Sequence, residues 1–342
     1  MAVLRSIALQ RLASGGAAGL LTVGAILGSP LTATAAPEGV AATPAGMIYA
    51  WGMSTDGRTE VPATPPGQTF TAVSAGLYQS LALTSTGQIV GWGNNHYGQS
   101  SPPAAIPGQT YTAVSAGTYH SLALTSGGQV VGWGRSDGGQ IQVPPAPPGQ
   151  TYTAVAAGFI YSLALTSGGQ IVAWGTSGEG ATNVPAPPPG QTFTAIAAGG
   201  SHALALTSSG QVVAWGADTY GATEVPAPPE GQTYTAIAAG THHSLALTSA
   251  GQVIGWGMGT DGQTVTPAGH TYTAIAASSF HSVGLTTTGD IIGWGDNYYG
   301  QVTAPESKNQ SCSAIATGVY HSLAVCAEAP STSSLSSLNF GS

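Results

Sequence analysis

The sequence predicts an all-β fold, a seven-bladed β-propeller whose ring is closed by a composite blade made from both chain ends. Three observations predict it. The seven tryptophans, at positions 51, 92, 133, 174, 215, 256 and 294, are each followed by glycine; five of their spacings are 41 residues and the last is 38. A period near this value falls in the range of propeller blades. The intervening sequence recurs almost unchanged: residues 110–134 read TYTAVSAGTYHSLALTSGGQVVGWG and residues 233–257 read TYTAIAAGTHHSLALTSAGQVIGWG. The ends of the array are complementary halves, MIYAWG at 47–52 and SAIATGVYHSLAV at 313–325. Joined, they make one blade beside six complete ones, and the closed ring leaves no open sheet edge.

Each unit parses into four short strands. The first, TAVSAG at 112–117, is rich in small residues that suit the crowded axis of a propeller. The second, SLALT at 121–125, alternates in the period of two that marks a strand. A Ser-Gly-Gly turn leads to the third, QVVGWG at 129–134. A polar loop then leads to a short fourth strand ending in Val-Pro, as at Val143-Pro144. Proline fits an outer edge, where no neighbour needs its missing N–H. Linkers such as PAPPGQ carry the chain to the next blade, and no segment keeps a helical period.

The propeller is expected over residues 47–327. Residues 1–35 read as an export signal: Arg5 and Arg11, an apolar run from about Ala17 to Leu27, then the small-x-small pattern Ala33-Thr34-Ala35. Residues 36–46 form a short linker, and the Ser-rich tail 328–342 is expected to be disordered. The protein is therefore expected to be secreted, with no membrane contact after cleavage, and monomeric. Removing the signal leaves Arg58, Arg135 and Lys308 against 13 carboxylates, a net charge of −10. Such a surface excludes nucleic acid as a partner, because that binding depends on basic side chains neutralising phosphates.

Cys312 and Cys326 are the only cysteines. Aligning the units, Cys312 stands where others carry Tyr111, Tyr152 or Tyr234, and Cys326 where they carry Thr125, Thr166 or Thr248. The two positions flank one hairpin symmetrically and face each other across adjacent strands. An exported chain oxidises such a pair, so a disulfide is expected.

Of the 25 aromatic residues, nine are not explained by the repeat: Tyr78, Tyr97, Tyr119, Phe159, Tyr220, Phe280, Tyr298, Tyr299 and Tyr320. All nine lie in the loops between first and second or third and fourth strands. In an up-and-down blade these two loop classes emerge on one face. Exposed rings on rigid loops bury much area at little entropic cost, which is what binding surfaces use. The same loops carry Asp56, Asp137, Glu179, Asp218, Asp261 and Asp296, only partly offset by Arg58 and Arg135. These acids either steer a basic partner or simply form turns.

Five histidines, His120, His202, His243, His281 and His321, occupy one repeated position that holds Gln79 and Tyr161 in two other units. A residue replaceable by Gln or Tyr reads as structural. His96, His242 and His270 lack a second ligand at zinc spacing. No nucleophile elbow or phosphate loop appears. No cofactor, metal or catalytic residue is expected. A metal-dependent lyase and a carbohydrate- or cell-wall-binding propeller stand as alternatives to a protein binder.

The pattern AAG-x-x-HSLALT-x-x-G-x-V-x-x-WG-x-x-x-x-GQ resembles the regulator-of-chromosome-condensation (RCC-type) repeat. The short period and the Val-Pro endings at Val61-Pro62, Val184-Pro185 and Val225-Pro226 resemble a secreted bacterial branch whose propellers inhibit β-lactamases. That resemblance implies a partner such as a secreted or periplasmic β-lactamase. It carries the capping role onto Tyr78, Tyr119, Phe159, Asp218, Tyr220, Phe280 and Tyr320, with Tyr97, Asp296, Tyr298 and Tyr299 on the same face. Two features depart from the branch: every tryptophan belongs to the repeat, and one unit has only Gly200-Ser201 where others offer a ring.

Overall fold

The computed structural model describes residues 46–305 and 311–327. The expected export signal, most of the linker and the tail lie outside the described residues. The described chain forms seven antiparallel sheets of three strands each. We number the blades 1 to 7 by their tryptophans, from Trp51 to Trp294. Blade 2 has an inner strand Phe70–Ala75, a middle strand Gln79–Thr84 and an outer strand Ile89–Gly93, and blades 3 to 7 repeat this plan. Blade 1 is the composite: Cys312–Thr317 inside, His321–Ala327 in the middle and the N-terminal strand Gly46–Gly52 outside. Its register runs from Gly46↔Ala327 to Gly52↔His321. Cys312 lies directly opposite Cys326, and the two form the disulfide.

The middle strands are buried along their whole length, because each is covered by a neighbouring blade on both faces. Leu81 and Leu83 of blade 2 pack on Tyr111, Ala123 and Trp133 of blade 3. The large side of SLALT thus meets the small side of the next SLALT. Each such leucine contributes roughly 1.5–3 kcal/mol through burial. The inner strands carry a bulge after their first residue, between Phe70 and Ala72 in blade 2. The bulged threonine returns its hydroxyl to the middle strand, Thr71 Oγ1 to Leu83 O at 3.2 Å, and Ser313 does so in blade 1.

A buried clasp joins successive blades. Trp133 Nε1 and Ser121 Oγ both donate to Gln99 O of the preceding blade, each at 2.9 Å. His120 Nε2 reaches forward to Ser162 Oγ at 2.9 Å, and His202, His243, His281 and His321 make the same bond. These histidines are structural. Burial pushes His120 and His202 down to about 4, and His243, His281 and His321 down to about 3. The one blade with tyrosine here shows the logic. Tyr161 donates to His202 O at 2.5 Å, and its facing residue is Ala203 where other blades have serine. The larger ring reaches a backbone carbonyl, so the serine is no longer needed.

The expected fourth strand does not form among the described residues. The segment after each loop lies against the outer strand; a Cβ on Gly91 would meet Ser100 O at 2.2 Å, and one on Gly293 would meet Val302 O at 2.5 Å. It adds no ladder, because its N–H groups are consumed locally: Val61 donates to Thr59 O, Val143 to Ile141 O and Val225 to Thr223 O. The prolines that follow have no N–H to give.

Candidate functional site

The loops between inner and middle strands and those after the outer strands meet on one face, as the alternation requires. Around the ring, the post-outer loop of each blade sits beside the inner–middle loop of the next. Tyr97 of blade 2 stands edge-on to Tyr119 of blade 3, with ring centroids 5.5 Å apart. Tyr299 of blade 7 meets Tyr320 of blade 1 at 5.2 Å, and Tyr220 of blade 5 meets His242 of blade 6 at 5.6 Å.

Five blades share one aromatic arc. Phe280 stacks on Tyr320 at 5.9 Å, and Tyr298 packs on Tyr299 at 4.8 Å. The Tyr320 hydroxyl is raised above the ordinary phenol range by burial first, then by Tyr299, Tyr78 and Asp296 nearby. Tyr78 lies 6.0 Å from Tyr119, and Tyr119 lies 6.4 Å from Phe159. Burial raises Tyr119 as well, with Tyr78 adding to it. Tyr220 lies apart from the arc on blade 5.

Two arginines are built into the arc. Arg58 occupies the loop position that holds Gln99 or Gln301 in other blades. The residue is 1% exposed, and its guanidinium lies 5.1 Å from the Tyr78 ring centre, pairs with Asp56 at 3.1 Å and donates to Thr55 O at 2.7 Å. Arg135 sits 5.5 Å from the centres of both Tyr97 and Tyr119 and grips Asp137 through two bonds of 2.7 and 2.6 Å. These bonds hold the Asp137 carboxyl below its ordinary range. Sequence reasoning counted both arginines only as charge. The signal that marks Arg58 is its place in the repeat.

The loop glutamine holds the backbone of the tyrosine two residues before it. Gln99 Oε1 accepts from Tyr97 N, and Gln301 Oε1 from Tyr299 N, both at 2.8 Å. These rings are 44% and 40% exposed. Blade 5 has Ala222 instead. There the matching Tyr220 adopts φ +64° and is 61% exposed, whereas Glu179 of blade 4, which also lacks the glutamine, is not left-handed. A left-handed tyrosine costs on the order of 1 kcal/mol.

The acids divide in role. Asp56 and Asp137 are neutralised within their own loops. Asp218 accepts from Thr223 N and Oγ1 at 2.9 and 2.6 Å, bonds that lower its pKa. Asp296 accepts from Gln301 Nε2 at 2.7 Å and from Tyr298 N at 3.0 Å. Glu179 is exposed and has no ion-pair partner among the described residues. At the centre of the face, each blade contributes the last residue of its inner strand and the two residues after it to a pit of about 190 Å³. Among the described residues no group of three or more His, Cys, Asp or Glu side chains is placed to hold a metal.

The family model for the regulator of chromosome condensation (RCC1) repeat matches residues 70–99, 111–140, 193–222, 234–263 and 272–301. The chain is an RCC1-repeat β-propeller. Similar solved structures agree with the architecture of this RCC1-repeat chain. Prp20p from Saccharomyces cerevisiae superposes with a TM-score of 0.72 at 19% identity, covering 85% of this chain and 93% of that one. Yeast RCC1 (Prp20) in complex with Kap60 gives 0.71 at 18% identity, covering 90% and 97%. Human WBSCR16 gives 0.69 at 19% identity, covering 83% and 99%. At these identities the likeness concerns the fold. Comparison with curated proteins returns no match.

Proposed function

We propose that this propeller is a secreted, non-enzymatic protein-binding module that docks its partner on the loop face. The aromatic arc from Phe280 through Tyr320, Tyr78 and Tyr119 to Phe159 carries the reading. Rigid clustered rings with arginines packed among them have the composition of binding hot spots. The fold is one that other proteins use for binding: a solved structure shows yeast RCC1 bound to Kap60, and Prp20p is described as binding Gsp1p and histones. The five repeated histidines are consumed as clasps, and the non-enzymatic reading rests on that together with the family's use as a binding scaffold. Export rests on the sequence of residues 1–35. The acidic face, with exposed Glu179, Asp218 and Asp261, disfavours nucleic acid and suits a partner with basic side chains.

A secreted or periplasmic enzyme is the partner class we favour, and a β-lactamase is the first to test. The purified protein is titrated against a class A β-lactamase with a chromogenic substrate. Tight inhibition, weakened by more than about tenfold in Tyr119→Ala or Phe280→Ala, supports the reading; each lost hot spot is worth about 2 kcal/mol or more. Absence of inhibition removes that target and sends the loop face to an unbiased pull-down. Carbohydrate binding is the second reading. It is favoured by Tyr298, whose ring is 83% exposed, and a glycan array tests it.

A further inference from the structure

The ring of loops that surrounds the central pit is not uniform. At six of the seven junctions between blades, the inner–middle loop brings a large side chain to one matched position: Tyr78, Tyr119, Ile160, His242, Phe280 and Tyr320. The exception is blade 5, which has Ser201 there and Gly200 before it. Gly200 lines the pit and packs on Thr241, where an added Cβ would lie 2.8 Å from Thr241 O. Gly216 of blade 5 lies between Ser201 and the end of the facing blade 4 loop: a Cβ on it would lie 2.5 Å from Ser201 O and 3.2 Å from Ala181 Cα. That loop is also small. Gly178 has open space where a side chain would stand, and Ala181 replaces the loop glutamine. Its one charged group, Glu179, is exposed and unpaired among the described residues. The breach therefore runs from the unpaired carboxylate, over Ser201 and Gly200, into the pit, with exposed Phe159 on the blade 4 side and exposed Tyr220 on the blade 5 side.

The pit itself limits what can enter. At about 190 Å³ it is smaller than the roughly 300–1,000 Å³ of small-molecule sites, yet it holds far more than a water. Leu77, Phe159 and Val319 give it an apolar wall, facing the hydroxyls of Thr241 and Ser279, which bond each other at 2.6 Å. One large apolar side chain matches this volume and lining.

We propose that the pit and the blade 5 breach form one radial groove that receives an extended segment of a protein partner, seating an apolar or aromatic side chain on the axis and a Lys or Arg beside Glu179. The proposal rests on the protein-binding reading above and names the partner's chemistry. Ser201→Tyr closes the breach with the residue that blades 1, 2 and 3 already carry at that position, so the variant is compatible with the fold. A displayed library of random linear peptides is panned on the full chain, and the enriched peptides are measured against variants with unchanged melting temperature. The expected peptides pair a basic residue with an aromatic or large aliphatic one. They lose about tenfold or more in affinity on Ser201→Tyr, and a comparable amount on Glu179→Lys, which reverses the charge without filling the breach. Peptides that bind both variants like the parent, an enriched set without basic residues, or no enrichment would overturn the groove. Partner binding that falls on Tyr119→Ala but not on Ser201→Tyr overturns the groove alone. Binding indifferent to both substitutions brings down the loop-face reading with it.

Discussion

Mild acid should unfold this propeller, and the buried histidines set the window. Their folded pKa values, about 4 for His120 and His202 and about 3 for His243, His281 and His321, lie below the ordinary 6.5 because burial penalises the charged ring. Below pH 6.5 the unfolded chain takes up protons that the folded chain refuses, so stability falls as the pH drops from 6.5 toward 4. Each histidine contributes a loss of about 1.4 kcal/mol per pH unit in that window. At pH 5 this is about 2 kcal/mol per ring and on the order of 10 kcal/mol for all five, comparable with the roughly 5–15 kcal/mol that holds a domain together. The assay is urea unfolding followed by tryptophan fluorescence at pH 7.5, 6.5, 5.5 and 5.0, since all seven indoles are buried. The midpoint should be flat above pH 7 and fall steeply below 6.5. His120→Gln places there the residue that blade 2 already uses, where Gln79 Nε2 donates to Gly117 O at 2.9 Å. That variant should lose about a fifth of the pH slope. A midpoint unchanged between pH 7.5 and 5.0 would refute the argument.

Three further outcomes are expected. Tyr161→His alone should cost about 1–3 kcal/mol, because the new imidazole faces Ala203 with no hydroxyl to bond. Adding Ala203→Ser should recover much of that loss, and a double-mutant cycle by chemical denaturation reads the coupling, expected within about 0.5–3 kcal/mol. Reducing the Cys312–Cys326 bond, or changing both residues to serine, should lower stability by about 3 kcal/mol, for a link spanning 14 residues; melting with and without reductant measures it. Gly158→Ala should cost several kcal/mol or prevent folding, since its Cβ would lie 2.3 Å from the Tyr161 ring; expression level and melting temperature report it.

The ring was legible in the sequence because its period is carried by residues with fixed structural duties. Each tryptophan marks an outer strand, and each SLALT marks a strand buried on both faces. The split blade followed from the two half-units, and the disulfide from two cysteines at paired positions of one hairpin. The fourth strand was misread because Val-Pro suits an edge strand and equally suits a turn that consumes its own N–H groups. The clasp was harder to see, since His120 bonds a serine 42 residues ahead in the next blade. Its trace was nonetheless present: the one unit with tyrosine for histidine is followed by the one unit with Ala203 for serine.

The loop face was legible as a class of loops but not as a surface. Which rings touch depends on small backbone choices that composition does not reveal. Arg58, Ala181 and Ala222 all replace the loop glutamine, and two of them, Arg58 and Ala222, lie two residues after a left-handed residue, Asp56 and Tyr220 respectively. In blade 1 the replacement brings a buried cation under Tyr78; in blade 5 it leaves a tyrosine standing clear of the arc. A ring of seven identical blades would offer seven equal contacts and no orientation to a partner. Recognition here must come from where the repeat is broken. Those breaks fall mainly at the loop glutamine and at the residue before the clasp histidine, positions that point to the loop face, while SLALT and the tryptophans vary little. The scaffold can tolerate change there because the clasp and the leucine layers lie beneath it, so the same sequence that closes the ring leaves one face free to become specific.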